Sequence, residues 1–169
     1  MLAIPIVILL VMLVKPILTL NTGEDITLET KPVDPRDLLY GDYVYLEYEI
    51  QDVDKGDMDE DLLKKLDLQK NGQIPVYAVL KRDGTVHKLD QLRVKKPVDG
   101  VYLKGQLNFY GYWAGRKKST VYNVDFNLDR YYVPENTGKS LEASARDGNL
   151  IAKVKVRNGY GILTNLNKK

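Results

Sequence analysis

The densest group of chemistry-bearing side chains lies between Pro32 and Ile50, in the run PVDPRDLLYGDYVYLEYEI. Asp34, Arg36, Asp37 and Asp42 fall close together there and, with Tyr43, could form a charged surface site for a ligand or a protein partner. The same residues suit a purely local role. Asp34 before Pro35 sets a capping carboxylate ahead of a proline at a first helical position. Arg36 to Tyr40 can make one helical turn, and Gly41 can take the left-handed conformation that closes it. Asp42 can then accept hydrogen bonds from nearby backbone N–H groups where a strand begins.

Other groups invite other chemistries. Phe109, Tyr110, Tyr112 and Trp113 cluster with glycines at 105, 111 and 115, and Arg116-Lys117-Lys118 follows. Such a segment could stack on sugars, grip a peptide, or sit at a membrane interface with its basic residues on anionic headgroups. Asp52, Asp54, Asp57, Asp59 and Asp61 could hold Ca²⁺, but an EF-hand counted from Asp52 meets Asp57 and Leu63 where glycine and glutamate are required. A solvated loop and helix start is the plainer reading. Paired carboxylates could serve a hydrolase acting on envelope polymers, although spacing alone does not show two of them converging. The chain has no Cys and one His, His87, which excludes disulfides, thiolate zinc sites, thiol nucleophiles and multi-histidine metal centres within one chain. Neither a metal nor a cofactor is expected. A net charge of +2 makes no case for nucleic acid.

These groups need elements to hold them. Alternation predicts a strand over 25–30 with Ile26 and Leu28 on one face. The clearest strand is 43–50, with Val44, Leu46, Tyr48 and Ile50 on one side and Tyr43, Tyr45, Glu47 and Glu49 on the other. A short helix is expected over 58–68, started by Asp57 or Asp59, and a second over 137–146 closed by Gly148. Strands are expected at 76–81 and 85–89 around Arg82-Asp83-Gly84, at 101–109 and at 120–126 across a loop over 111–118. A short strand is expected at 131–133, and a hairpin around Asn158-Gly159. The 169 residues then make one mainly β (α+β) domain, an antiparallel β-sandwich or partly open barrel with two short helices.

Ahead of that domain, Leu2 to Val14 is an uncharged run of thirteen residues, interrupted by Lys15-Pro16 and extended to Leu20. Thirteen helical residues reach only about 20 Å. Residues 1–20 reach the length of a membrane-spanning helix if Lys15 turns its ammonium to the interface. A cleaved leader would want small residues at an A-x-A-like site, and none follows. The expectation is a transmembrane signal anchor over 1–20 and an extracytoplasmic domain over 21–169.

Gly41-Asp42-Tyr43, Leu46 and Tyr48 form a GDYxxLxY signature, and the chain resembles the GDYXXLXY protein family at these residues. Leu28-Glu29-Thr30 with Pro32 to Leu38 is similar to that family's approach to the motif. Leu128 to Glu135, Gly138-Lys139 and Leu141-Glu142 are similar to its second block. Tyr40 departs, standing where relatives more often carry Arg. The resemblance implies a membrane-anchored bacterial protein of unknown function with a polytopic membrane partner, and implies no catalytic residues. Pro35, Leu38, Gly41, Asp42 and Val44 also resemble a piece of type I signal peptidases. With no Ser before Ser119, the nucleophile of that chemistry is missing. The expected function is a non-enzymatic accessory or binding module in the cell envelope. Asp34, Arg36, Asp37, Asp42, Tyr43, Tyr112 and Trp113 are its contact residues, and the envelope hydrolase is the alternative.

Overall fold

The computed structural model describes residues 3–32, 43–68, 72–114, 117–132 and 139–169. An apolar helix, α1 (Ala3–Thr22), leads directly into β1 (Glu24–Lys31). It runs two residues past the expected end at Leu20, because Asn21 Nδ2 and Thr22 Oγ1 donate to the carbonyls of Ile17 and Leu18 and satisfy the last turn. Gly23 ends the helix, its N–H bonded to Thr19 O at 2.9 Å. A Cβ at Gly23 would stand 2.4 Å from that oxygen, so the turn into β1 requires glycine.

The strand expected over 43–50 divides. β2 (Tyr43–Tyr45) and β3 (Glu47–Tyr48) flank Leu46, and a 3-10 turn follows over Glu49–Gln51. Leu46 takes its hydrogen bond elsewhere, donating its N–H to Asp129 O at 2.8 Å. The inward face survives the division: Val44, Leu46, Tyr48 and Ile50 are all buried. α2 (Glu60–Leu68) starts at Asp59, whose Oδ1 accepts from Leu62 N at 2.8 Å. β4 (Gly72–Asp83) and β5 (Val86–Arg93) form the expected hairpin.

β6 (Val101–Ala114) and β7 (Lys117–Asp125) correct the sequence reading most. The loop expected over 111–118 is strand on both sides, with Tyr112 opposite Ser119 and Trp113 opposite Lys118. Aromatic β-formers carry the ladder through Gly111, outweighing the turn signal of the glycines. β8 (Arg130–Tyr132), α3 (Lys139–Arg146), β9 (Leu150–Arg157) and β10 (Tyr160–Lys168) follow, and a second 3-10 turn lies at Lys55–Asp57 before α2. Asn158 and Gly159 both have positive φ, 51° and 77°, the tight-hairpin geometry the Asn-Gly pair favours.

All pairs between the described strands are antiparallel. The sheets run β10-β9-β1-β3, β5-β4-β6-β7 and the two-stranded β2-β8. The two larger sheets curve as a half-barrel round one core built from Leu28, Leu46, Tyr48, Val76, Leu92, Leu107 and Val154 and their neighbours. His87 is half-buried, and its Nδ1 accepts from Thr27 N on the other sheet at 3.2 Å.

The anchor expectation is not met as stated. The N-terminal segment is helical, but among the described residues no helix is long and apolar enough to cross a membrane. Lys15 does not extend away from the domain; its Nζ lies 4.0 Å from the centre of the Tyr160 ring. The apolar stretch free of charge therefore ends where the helix reaches β10.

Candidate functional site

The two segments that resemble the family's blocks lie against one another. β2 and β8 pair with Tyr43 opposite Tyr132, Val44 opposite Tyr131 and Tyr45 opposite Arg130. The interior side of this junction is structural. Tyr48, fully buried, donates its hydroxyl hydrogen to Leu128 O at 2.7 Å. Burial first, and then the nearby Asp129 charge, push its phenol well above the usual range, so it stays protonated as a donor. Tyr48 N donates in turn to Gln51 Oε1 at 2.7 Å, closing the 3-10 turn beneath it.

The outer side is different. The Tyr43 and Tyr132 rings meet at 5.9 Å with 58° between their planes. The Arg130 guanidinium lies 5.5 Å from the Tyr43 ring centre, and its Nε is 3.4 Å from Asp129 Oδ2. Tyr132 is 72% exposed. Two tyrosines with a cation over one ring can stack on a planar or sugar surface, while Arg130 pairs with a carboxylate or phosphate. Tyr43 is thus the one expected site residue whose side chain the structure places on a recognisable face. Asp34, Arg36, Asp37 and Asp42 lie outside the described residues, as do the side chains of Tyr112 and Trp113. Arg130 and Tyr132 were not singled out from sequence, where the short strand was legible but its partner was not.

The family model of the GDYXXLXY protein matches residues 5–166. The chain belongs to the GDYXXLXY protein family. No curated protein and no solved structure matches it. In this GDYXXLXY protein the described motif residues divide by role, with Leu46 and Tyr48 in the core and Tyr43 on the aromatic face. Membership brings no activity with it, so function rests on geometry.

Several other charged groups among the described residues of the GDYXXLXY chain have structural tasks. Lys31 Nζ bridges Asp52 at 2.6 Å and Glu47 at 3.1 Å. Burial lowers the Lys31 pKa, but the hydrogen bonds and charges of Asp52 and Glu47 outweigh it and leave a net rise. Asp57 accepts from Asp54 N, Asp59 caps α2, and Asp61 pairs with Lys95 at 2.6 Å. Among the described residues no three acids or histidines converge as a metal site would need. None of the described carboxylates is buried; Asp61 and Asp83, held by the hydrogen bonds and charges of Lys95 and Lys88, have lowered pKa values.

Proposed function

We propose that this GDYXXLXY protein is a membrane-tethered, non-enzymatic binding module of the bacterial envelope. Its β domain lies outside the cytoplasm and contacts a polytopic membrane partner through the Tyr43–Arg130–Tyr132 face. The observation that carries the tether is the apolar surface of α1. Of the sixteen exposed large hydrophobic side chains among the described residues, twelve belong to α1. A core that closes without them leaves those side chains needing an apolar medium from outside the domain.

The free arm from Ala3 to Val14 is about 18 Å long, short of the roughly 30 Å hydrocarbon layer. The tether is therefore read as insertion of this arm into a leaflet or beside a partner's helices, with Lys15 and Tyr160 marking where the domain begins. The family's likeness to membrane-anchored proteins supports the same location. The Tyr43–Arg130–Tyr132 face supports the binding role, since an exposed aromatic pair with an arginine suits protein contacts.

The test is fractionation, followed by affinity purification from native membranes in mild detergent. The expected result is a salt-resistant membrane fraction and a stoichiometric polytopic partner that Arg130→Ala or Tyr132→Ala releases. A soluble pool of the full chain contradicts the tether. Undiminished partner recovery with both variants contradicts the contact face.

A further inference from the structure

The two larger sheets approach one another along β1 and β5. Over Glu24–Glu29, β1 pairs with β9 on one side, and β3 takes up its other side at Thr30 and Lys31. β5 is the end strand of the second sheet, and no strand ladder joins it to β1 among the described residues. The hydrogen bond described between these two strands is the one from Thr27 N to His87 Nδ1, at 3.2 Å. The Thr27 N–H thus points away from β9 and meets an imidazole where a sheet would supply a carbonyl.

That choice of acceptor has a consequence, because His87 is the single histidine of a chain without cysteine. Imidazole is the side chain that changes charge between pH 5 and 8. A neutral ring with its hydrogen on Nε2 accepts at Nδ1, whereas an imidazolium carries N–H on both nitrogens and accepts nothing. His87 is half-buried and lines two clefts, of about 650 and 380 Å³, so protons reach it from solvent. Across the first cleft stand Glu24 and Asp25 of β1, Arg82 of β4 and Lys153 of β9. Across the second stand Glu29 of β1, Glu49 of the 3-10 turn and Lys88 of β5 itself. Asp25, Glu29 and Lys88 are already paired, with Lys155, Lys169 and Asp83, and Arg82 Nε donates to Gly84 O at 3.1 Å. Acids and cations nearly balance around the ring, so the Thr27 N–H is the contact that tells its neutral form from its charged one.

We propose that His87 is a pH-sensitive latch between the two sheets, closed while its ring is neutral and released when Nδ1 takes a proton. On release the Thr27 N–H turns to water and the seam between Glu24–Glu29 and β5 loosens. Ile26, Leu28 and Leu92 are buried on the same two strands and do not depend on the ring's charge, so release is a local opening and not global unfolding. The bond therefore stabilises the seam at pH 8 and is lost as pH falls toward 5. The latch goes beyond the tether and the contact face and depends on neither.

The experiment is NMR and thermal unfolding of the full chain in nonionic detergent at pH 8 and pH 5, with His87→Asn and His87→Phe beside the native chain. Asn sets a carboxamide oxygen near the place of Nδ1 and does not titrate; Phe keeps a ring without an acceptor. At pH 8 the His87 nitrogen shifts should report Nε2–H with a bare Nδ1. Between pH 8 and pH 5 the Thr27 amide should lose about fivefold in exchange protection, corrected for intrinsic exchange, while amides of the β4–β6 ladder keep theirs. The native midpoint should fall by about 2–4 °C more than that of His87→Asn over the same interval, since every other titrating group is common to both. His87→Phe should start lower at pH 8 and then follow the slope of His87→Asn.

An Nδ1–H tautomer at pH 8, unchanged Thr27 protection at pH 5, or equal pH responses of the native chain and His87→Asn overturns the latch. The tautomer and exchange readings use the native chain alone, so they decide the matter even where a variant fails to fold. Loss of the tether or of the contact face in their own tests leaves the latch standing.

Discussion

Tyr48 shows how one side chain can serve both core and network. Its ring is fully buried in the core, and its hydroxyl satisfies the Leu128 carbonyl on the segment that leads into β8. Tyr48→Phe keeps the ring and orphans that carbonyl, so a loss of about 1–2 kcal/mol is expected. A lower urea midpoint at unchanged m-value would show it, and an unmoved midpoint would refute the assignment. Lys31 gives a second residue-scale test with a pH signature. Its pKa is raised on folding, so its contribution is fully present below the unfolded value and is lost as pH rises through the folded value. Lys31→Met should cost about 0.5–1 kcal/mol near neutral pH, given the partly exposed pairs. The difference between native and variant should close above roughly pH 11, since unperturbed lysine titrates near 10.4.

Among the elements, the β9–β10 hairpin was the most legible in sequence and is the most sensitive to one atom. Asn158-Gly159 announced a two-residue turn, and both residues take the positive φ it requires. Gly159 is further constrained, because a Cβ there would stand 2.7 Å from the Tyr102 ring. Gly159→Ala should therefore destabilise by about 1–3 kcal/mol, combining left-handed strain with that clash. Asn158→Gly, which keeps the conformation, should change the thermal midpoint little; equal effects of the two substitutions would remove the steric argument. The β6–β7 ladder was less legible. Glycines at 111 and 115 mimicked a loop, and the cross-strand hydrogen bonds that carry strand through Ala114 appear only once β7 is paired.

At the scale of the molecule, the domain has two ends with different surroundings. β1 rises from Glu24, beside the α1 exit, to Lys31, which pairs with Glu47. Eight strand residues cover about 26 Å, so the Lys31–Glu47 end of β1, the end from which the chain runs back to β2, lies well away from the tether. Removing residues 1–14 should leave the β domain cooperatively folded, with a thermal midpoint within a few degrees of the full chain. Among the described residues of α1, Thr19 is the one that is buried. The truncated protein should leave the membrane fraction; retention there, or collapse of the thermal transition, would show that the arm belongs to the fold.

What the sequence determined by itself follows from local periodicity and turn chemistry. Alternation over 43–50 chose the buried face, Asp59 and Gly148 bounded helices, Asn158-Gly159 set a hairpin, and the GDYxxLxY signature placed the chain in its family. Each of these is written within a few residues. Tertiary structure decided what depends on partners far apart in the chain. It set Tyr132 against Tyr43, gave Tyr48 the Leu128 carbonyl, tied His87 to Thr27, brought Lys15 to Tyr160, and packed Tyr102 edge-on to Tyr77. The reason is physical: a side chain's local pattern fixes which way it faces, whereas burial, pairing and charge are properties of whatever the rest of the chain folds against it.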